Sequence, residues 1–358
     1  MRAWKAPLTI EDIDLDEPGP REVVVRTVAS GVCHSDLHVL EGSFPMPPPA
    51  VLGHEPAGIV EKVGAEVSHV QPGDPVIGCL SAFCGSCAYC LSGRPNLCGG
   101  EATARPAGAR PRLSKDGKAI SQFAHLSAFA ERMLVHENAL VKIRPEMPLD
   151  RAALIGCGVT TGLGAALRTA QVRPGETAVV IGCGGVGLAA VQGCRIAGAS
   201  RIVAVDTMPW KLDLACQLGA TDGVLAAQGD PGAQVLALLP GGADYAFECI
   251  GLRATSAQAL AMVRKGGVCV LVGVVPFGTT LELPGFDIVL GGKTVVGSMM
   301  GGNRFRIDMP RYVDFYLDGR LKLDEMISAR LPLEEIQTAF DSMKAGEVAR
   351  SVVIPGGS

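Results

Sequence analysis

The strongest constraint on the fold is a glycine-rich segment between a strand-like and a helix-like stretch. Residues 182–187 read Gly-Cys-Gly-Gly-Val-Gly, after the apolar run 177–181 and before a helix-like stretch that reaches Ala199. A second apolar run, 201–206, ends at Asp206. Glycines in this context let the backbone approach a pyrophosphate, and the helix N-terminus supplies amide groups for it. The pattern predicts a strand–helix–strand unit that binds a dinucleotide.

The residues that follow extend this unit into a sheet. Helices are predicted over residues 209–218 and 235–239, and the apolar runs 245–249 and 268–273 are predicted to be buried strands. Strands that alternate with helices form parallel sheets. We therefore expect an α/β chain with a doubly wound parallel sheet in its second half.

The first half of the chain has a different pattern of apolar and turn residues. Short valine-rich runs such as 22–26 are separated by Pro-Gly turns at 17–20 and 71–74, which is typical of antiparallel strands. Residues 99–122 are rich in Gly, Ala, Arg, Pro and Lys without periodicity, and we expect a long loop there. A chain of 358 residues is too long for one ordinary core, so two domains are expected.

Charge and hydropathy limit the partners. The net charge of -4 offers no basic surface for nucleic acid. No uninterrupted apolar run reaches the length of a membrane span, and the first residues lack the apolar stretch of a signal peptide. We expect a cytoplasmic protein that acts on a small molecule, without a membrane or a nucleic acid as partner.

Four of the twelve cysteines fall close together in the chain. Their spacing is C-x2-C-x2-C-x7-C, formed by Cys84, Cys87, Cys90 and Cys98. Four thiolates can surround one tetrahedral zinc and leave no ligand position open, which makes the metal structural. An iron–sulfur cluster and four unrelated buried thiols are the alternatives.

A second metal site is predicted from three separate segments. Residues 31–38 read Gly-Val-Cys-His-Ser-Asp-Leu-His, residues 53–58 read Gly-His-Glu-Pro-Ala-Gly, and Cys157 lies between two glycines where the texture changes. Two thiolates and one imidazole leave a fourth position on zinc for water or substrate, as a Lewis-acid site needs. Since the sequence pattern changes at Cys157 from that of antiparallel strands to that of alternating strands and helices, we expect this metal where the two domains meet.

Taken together and in this order, these motifs and the segment 156–162, Gly-Cys-Gly-Val-Thr-Thr-Gly, resemble the zinc-containing medium-chain alcohol dehydrogenases nearly end to end. The resemblance implies a GroES-like, mainly antiparallel β catalytic domain formed by residues 1–157 and 299–358. It implies a Rossmann NAD-binding domain formed by residues 158–298. It also implies two zinc ions per subunit, NAD as coenzyme, and an alcohol or aldehyde as substrate.

The resemblance assigns roles around the catalytic zinc. Cys33, His54 and Cys157 would be its ligands, and Glu55 would be a transient ligand. Asp36 would orient His54, because a metal-bound imidazole usually donates its other N–H. Solvated loop carboxylates are the alternative for Asp36 and Glu55.

The proton released from the alcohol would leave through Ser35 and His38. Alternatively, Ser35 only caps a turn and His38 is only an exposed side chain. Asp206 would accept hydrogen bonds from the adenosine ribose and would repel a 2′-phosphate, which favours NAD over NADP. Arg350 would contact the pyrophosphate, and Lys211 would contact the ribose unless its side chain faces solvent. The full set of expected coenzyme contacts is His34, Thr161, Gly182, Gly184, Gly185, Val186, Gly187, Asp206, Lys211, Val272 and Arg350.

The substrate is the least constrained part. Leu80, Phe123 and Ala124 would line an apolar pocket suited to medium-length or aromatic primary alcohols. Three further arginines, Arg105, Arg110 and Arg112, could instead recognise an anionic thiol–aldehyde adduct, as in a formaldehyde dehydrogenase. Polyol dehydrogenase chemistry is another alternative.

Other functional classes fit the motifs less well. A dinucleotide-sensing module without turnover would have lost an open-site ligand. A zinc-independent reductase of the same superfamily would lack the four cysteines and the Cys33/His54 pair. We expect a homodimer, with a tetramer as the alternative, joined through the sheet edge around residues 270–300.

Overall fold

The computed structural model describes residues 1–356, which form two compact units. Of these, residues 1–157 and 304–356 form the first unit, and Gly158–Asn303 forms the second. The sequence-based boundary after residue 298 lies five residues earlier than this division. The difference arises because the 298–303 segment packs within the second unit: Ser298 Oγ lies 2.8 Å from Thr169 Oγ1, and Met300 Sδ lies 3.3 Å from Thr161 Oγ1.

The strands of the first unit range from two to ten residues, and those of the second from four to nine. They are β1 (Asp14–Leu15), β2 (Glu22–Gly31), β3 (Ala50–Val51), β4 (Pro56–Val63), β5 (Pro75–Gly78), β6 (Leu113–Lys115), β7 (Lys118–Ala119), β8 (Ser121–Gln122), β9 (Arg132–His136), β10 (Leu140–Lys142), β11 (Thr177–Ile181), β12 (Arg201–Asp206), β13 (Asp222–Leu225), β14 (Ala243–Glu248), β15 (Val263–Leu271), β16 (Thr294–Gly297), β17 (Ile327–Pro332) and β18 (Arg350–Ile354).

Most of the longer helices belong to the second unit. The helices are α1 (His34–Leu40), α2 (Ala88–Leu91), α3 (Leu149–Leu154), α4 (Thr160–Gly164), α5 (Gly185–Ala197), α6 (Pro209–Leu218), α7 (Pro231–Leu238), α8 (Arg253–Ala261), α9 (Gly285–Gly291), α10 (Phe305–Leu317) and α11 (Ile336–Ala345). Two π-helical turns, Ile155–Val159 and Ala165–Ala170, follow α3 and α4.

The first unit is built on a seven-stranded sheet in the order β10-β5-β4-β2-β18-β17, with β9 also paired to β2. The valine-rich β2 lies at its centre, because β-branched side chains suit a strand that is buried along most of its length. Val25 pairs with Val60 of β4 on one side and with Met133 of β9 on the other. Further along β2, Val353 of β18 pairs with Ser30, so β18 joins the same sheet.

The second unit is a six-stranded parallel sheet in the order β13-β12-β11-β14-β15-β16. The order reverses between β11 and β14, as it does in doubly wound dinucleotide-binding folds. Apolar residues from neighbouring strands form a buried cluster on one face of this sheet, among them the register partners Val179, Val203 and Ala246. The α/β prediction with a parallel sheet in the second half is confirmed.

The segment 99–122 differs from the long loop predicted for it. It contains a 3-10 turn at Glu101–Thr103 and the strands β6, β7 and β8, and β6 pairs with β1. Arg105 and Arg112 anchor it, because both guanidinium groups donate to the carboxylate of the buried Glu22. Anchoring by charged side chains produces no apolar periodicity, which explains why the sequence pattern did not reveal it.

One helical stretch of the described residues, Leu149–Ala170, is long and apolar enough to cross a membrane by length and composition alone. However, 83% of its most apolar window is buried inside the protein. The core helix of a soluble protein meets the same criteria, so this stretch is weak support for a membrane span.

Candidate active site

The structure brings together the three predicted ligands of the catalytic zinc and their acidic neighbour. One ligand atom each from Cys33, His54, Glu55 and Cys157 lies within 4.8 Å of the others, and all four residues are buried. Cys33 is the extended residue that precedes α1, and His54 and Glu55 directly precede β4. Residues more than 120 positions apart in sequence therefore meet in the first unit.

A local irregularity positions Cys157. It lies in the π-helical turn Ile155–Val159, and turns of this kind are frequent at functional sites because the extra residue changes the direction of a side chain. Its neighbour must be small: a Cβ on Gly156 would lie 3.1 Å from the carbonyl oxygen of Gly78 and 3.2 Å from Cα of Glu55. Gly156 thus lets the helix approach the segment that carries His54 and Glu55.

Asp36 is buried and holds His54, so it is not a solvated loop carboxylate. Its Oδ2 lies 3.0 Å from His54 Nδ1, and its Oδ1 accepts a hydrogen bond from the backbone N–H of Gly53 at 2.8 Å. Burial alone would lower the pKa of His54, but the negative charge and the hydrogen bond of Asp36 raise it to about 10. This pairing leaves Nε2 as the nitrogen available for another contact.

The donor set fits a zinc ion. Both ring nitrogens of His54 are buried and lack a hydrogen bond of full geometry among the described residues, but Nδ1 lies 3.0 Å from the Asp36 carboxylate, whereas Nε2 pairs with no described carboxylate. A buried nitrogen without a partner is costly, and a metal ion would supply one. Two thiols and one imidazole are ligands that zinc prefers. Cys157 also lowers the pKa of Cys33 by hydrogen bonding, so the pair readily carries a thiolate.

Glu55 is also buried, and Arg350 lies against it. A terminal nitrogen of the Arg350 guanidinium contacts Oε2 of Glu55, and both side chains belong to the first unit. The sequence predicted that Arg350 meets the coenzyme pyrophosphate. In the structure its observed partner is the carboxylate beside the zinc ligands, so charge compensation of Glu55 is a role that the sequence did not indicate.

The proposed proton path begins on α1. Ser35 is half-buried, and its Oγ lies 3.8 Å from Cys33 Sγ. His38 is half-buried one turn further along the helix, and His34 is exposed. Ser35 and His38 are three residues apart, so they lie on the same side of the helix.

An aromatic side chain borders the site. The ring of the buried Phe123 lies edge-on to His54, with 5.2 Å between centroids. Phe44 contacts Phe123 in turn, at 6.3 Å, and is itself 45% exposed. Phe44 was missed by the sequence analysis, because it stands in a Pro-rich segment without periodicity. Leu80 is partly buried against the core of the first unit, and Ala124 follows Phe123 with a left-handed backbone.

The four cysteines of residues 84–98, here called the cysteine lobe, also converge. One sulfur each from Cys84, Cys87, Cys90 and Cys98 lies within 4.8 Å of the others, and all four residues are half-buried. The backbone N–H groups of Ser86 and Cys87 donate to Cys84 Sγ at 3.4 and 3.2 Å. These hydrogen bonds, that of Ser86 foremost, lower the pKa of Cys84 to about 6. Cys84 therefore favours the thiolate, which is the form that binds a metal, whereas burial raises the pKa of Cys90 to about 12.

The glycine-rich segment has the geometry expected of a phosphate-binding turn. Gly182 has φ of +90°, and a Cβ on Gly187 would lie 1.7 Å from the carbonyl oxygen of Gly182. Gly184 precedes α5, whose first residues are Gly185 and Val186. The turn and the start of the helix are thus compact enough for a close approach of backbone amides to a phosphate.

Asp206 lies at the end of β12 beside this turn. Its carboxylate accepts hydrogen bonds from the backbone N–H of Cys183 at 2.7 Å and of Met208 at 3.0 Å. Lys211, in the first turn of α6, has its Nζ 5.5 Å from the Trp210 ring centroid. Among the remaining expected coenzyme residues, Thr161 is buried with its hydroxyl on Met300, and Val272 donates its N–H to the Glu248 carbonyl at 2.9 Å.

Comparison with known proteins decides the family. A family model described as an alcohol dehydrogenase GroES-like domain matches residues 19–145, and one described as a zinc-binding dehydrogenase matches residues 185–318. The class-3 alcohol dehydrogenase of Myxine glutinosa is 42% identical, with 98% of this chain and 96% of the relative covered. The chain belongs to the zinc-containing medium-chain alcohol dehydrogenases.

Solved structures of alcohol dehydrogenases agree with this assignment. A crystal structure of an alcohol dehydrogenase zinc-binding domain protein from Burkholderia ambifaria has a TM-score of 0.94 and 36% identity, with 99% of this chain and 97% of that chain covered. Benzyl alcohol dehydrogenase from Acinetobacter calcoaceticus has a TM-score of 0.88 and 32% identity, with 96% and 94% covered. The predicted fold, a GroES-like domain with a Rossmann domain, is confirmed.

The family also decides the class of activity. The protein is a zinc-dependent alcohol dehydrogenase with an NAD-binding Rossmann domain, and its substrate is a small alcohol or aldehyde. The alternatives of a sensing module without turnover and of a zinc-independent reductase are therefore set aside. Zinc also becomes the metal for the cysteine lobe, in preference to an iron–sulfur cluster.

Proposed function

We propose that this alcohol dehydrogenase interconverts primary alcohols of medium length, or with an aromatic ring, and their aldehydes, using NAD. In the oxidation the alcohol loses a hydride from carbon to NAD and a proton from oxygen, which gives an aldehyde and NADH. The observation that carries the proposal is the buried group of Cys33, His54 and Cys157 beside the ring of Phe123. It joins zinc ligands to an apolar wall.

Zinc held by these three residues supplies a Lewis acid that favours loss of the alcohol proton near neutral pH. The chain's own residues prepare the site. Asp36 fixes the orientation of the imidazole through Nδ1, and Arg350 compensates the charge of Glu55. Both carboxylates are buried, so without these partners each would carry a large desolvation cost.

Ser35 and His38 carry the proton outward. Ser35 is adjacent to the ligand Cys33, and a hydroxyl group can donate and accept a proton at once. His38 is half-buried, and an imidazole can accept a proton at one ring nitrogen and release one to water from the other. The surface-exposed His34 is proposed to contact the coenzyme phosphates.

The apolar surroundings favour uncharged substrates. Phe123 and Phe44 form an aromatic pair next to His54, which suits an aromatic or alkyl group. Arg105 and Arg112 are bonded to Glu22 and, in the case of Arg105, also to Asp16. Because these guanidinium groups already have carboxylate partners, they give little support to recognition of an anionic thiol adduct.

A substrate panel tests this proposal. We expect kcat/KM for hexanol or benzyl alcohol to exceed that for sorbitol and for a glutathione–formaldehyde adduct by at least about tenfold, as burial of an extra apolar group permits. A higher value with the adduct would favour the formaldehyde dehydrogenase alternative. A higher value with sorbitol would favour polyol oxidation. Either result would leave the zinc and NAD assignments untouched.

Coenzyme choice is proposed to depend on Asp206. Its carboxylate lies beside the phosphate-binding turn, where a 2′-phosphate would meet negative charge. Replacement by Gly should raise the ratio of kcat/KM with NADP to that with NAD by roughly tenfold or more. Asp213→Gly, a change of the same type on the neighbouring helix, is the control. An unchanged ratio in Asp206→Gly would contradict the proposed selector.

The enzyme is proposed to be a cytoplasmic homodimer. Strand β16 forms an edge of the parallel sheet, and large apolar side chains near it are exposed: Val274, Phe277, Phe286, Val289 and Leu290. Exposed apolar patches of this kind mark contact surfaces. Light scattering should give twice the mass of the chain, and Phe286→Asp together with Val289→Asp should shift it to that of a monomer. A monomeric parent protein would contradict the proposal, and four times the chain mass would favour the tetramer.

A further inference from the structure

We propose that Arg306 and Asn138 form a clamp that positions the cysteine lobe and sets how tightly the lobe retains its zinc. The inference rests on the assignment of zinc to Cys84, Cys87, Cys90 and Cys98. It concerns residues that come from outside the lobe: Asn138 lies just before β10, and Arg306 lies in the first turn of α10.

The first contact is with the residue that precedes the lobe. The side-chain amide of Asn138 donates a hydrogen bond to the carbonyl oxygen of Phe83 at 2.7 Å. The Phe83 ring lies edge-on to Phe305 at 5.7 Å, and the Arg306 guanidinium faces it with its central carbon 5.0 Å from the ring centroid. The backbone and the side chain next to Cys84 are therefore both held from outside the lobe.

Arg306 organises the other side of the clamp. Its Nη2 lies 3.1 Å from Asn138 Oδ1, 2.8 Å from the Glu137 carbonyl oxygen and 2.7 Å from His69 Nε2. Its Nε donates to the Leu140 carbonyl oxygen at 3.2 Å. The planar guanidinium group can serve several fixed acceptors and an aromatic ring together, whereas the ammonium group of lysine cannot match that geometry.

His69 links the clamp to a buried carboxylate. Its Nδ1 lies 2.8 Å from Glu137 Oε2, and Glu137 Oε1 also accepts from Arg21 at 2.8 Å. The geometry assigns the neutral tautomer in which Nδ1–H donates to Glu137 and Nε2 accepts from Arg306. Burial and the charge of Arg306 both lower the pKa of His69, and Glu137 acts in the opposite direction. Protonation of His69 would place two cations in contact and weaken the clamp.

Zinc release from the whole, metal-loaded enzyme tests the clamp. A chromogenic chelator in excess should resolve release from the two sites, and the variant Cys98→Ser identifies the phase that belongs to the lobe. We expect the lobe phase to become about tenfold faster in Arg306→Met and in Asn138→Ala, as loss of one or two hydrogen bonds would give. Arg306→Lys should lie between these variants and the parent, and the catalytic-site phase should not change.

Arg311→Met is the matched control, since Arg311 is exposed on the same helix. It should release zinc at the parent rate. The pH dependence gives a second readout: as the pH falls well below 6.5, the ordinary pKa of histidine, the parent should approach the rate of Arg306→Met, because protonated His69 has already opened the clamp.

Two results would overturn the inference. Only the second would also overturn the assignment of zinc to the cysteine lobe. Folded Arg306→Met and Asn138→Ala proteins with the parent lobe rate would show that these residues only contribute to packing, and the zinc assignment would stand. A Cys98→Ser variant that binds as much zinc as the parent enzyme would overturn both the assignment of zinc to the lobe and the clamp.

Discussion

The two sulfur-rich sites of this alcohol dehydrogenase are assembled in opposite ways. The proposed catalytic site takes Cys33, His54 and Cys157 from distant parts of the chain, and all three are buried. The cysteine lobe takes its four sulfurs from residues 84–98 and leaves them half-exposed, supported by N–H groups of the lobe itself. The first depends on the correct fold of the first unit, and the second depends mainly on local backbone geometry.

The largest difference between the sites should appear when one catalytic ligand is removed. Cys157→Ala should lower kcat by more than about a thousandfold, because a Lewis acid contributes several kcal/mol to such a reaction. Bound zinc should fall from two ions per chain to one, while NADH binding persists. Cys216→Ala, at an exposed cysteine, is the control. Full turnover in Cys157→Ala would remove the basis for the catalytic assignment.

A milder change tests whether zinc binding at the catalytic site needs the carboxylate of Asp36. Asp36→Asn keeps the shape but removes the charge next to His54, and we expect zinc affinity at this site to fall by roughly 10- to 100-fold. Zinc in the lobe should not change. Competition with a chelator measures both affinities, and an equal loss at both sites would point to a general disturbance of the first unit.

Removal of a lobe ligand should mainly affect stability. Cys98→Ser should abolish zinc binding in the lobe and lower Tm by roughly 5–10 °C, since structural zinc contributes binding energy to folding. The folded fraction should keep most of its kcat, in contrast to Cys157→Ala. Calorimetry and activity at low temperature separate the two effects. A loss of kcat as large as that of Cys157→Ala would contradict the division of roles.

The smallest effect concerns the segment that follows the lobe. Burial would raise the pKa of Glu22, but hydrogen bonds from Arg105 and Arg112 and from the Gly19 N–H lower it to about 2. Because this folded-state value lies below the ordinary one near 4.5, the stabilisation is complete above pH ~4.5 and is lost as the pH falls towards 2.

Glu22→Gln should therefore lower the free energy of unfolding by on the order of 1–3 kcal/mol at pH 7, and the difference from the parent should shrink below pH ~4.5. Urea titrations at pH 7 and at pH 4 measure it. Glu17→Gln, at an exposed carboxylate nearby, is the control and should change little. A constant difference at all pH values would mean that the charge of Glu22 is not the stabilising factor.

The sequence predicts some features of this molecule better than others, for physical reasons. The cysteine lobe and the turn around Gly182 depend on neighbours in sequence, so spacing alone reveals them. Strands β11 and β12 were predicted from continuous apolar runs, which are typical of parallel strands buried on both faces. These features need no knowledge of long-range contacts.

Features formed by charged side chains at long range were not predicted. The pairing of Arg350 with Glu55 joins residues 295 positions apart, and the anchoring of Arg105 on Glu22 joins residues 83 apart. Neither pair follows a periodic pattern. The π-helical turn around Cys157 is similar, because the apolar sequence of this region is compatible with an ordinary helix.

The late position of Arg350 in the chain bears on how the enzyme is made. Synthesis runs from the N-terminus, so Glu55 emerges from the ribosome long before the guanidinium group that compensates it. Until β18 is added beside β2, the carboxylate next to the zinc ligands must stay hydrated or protonated. Closure of the catalytic site therefore has to wait for β18, although Glu55 lies far earlier in the chain.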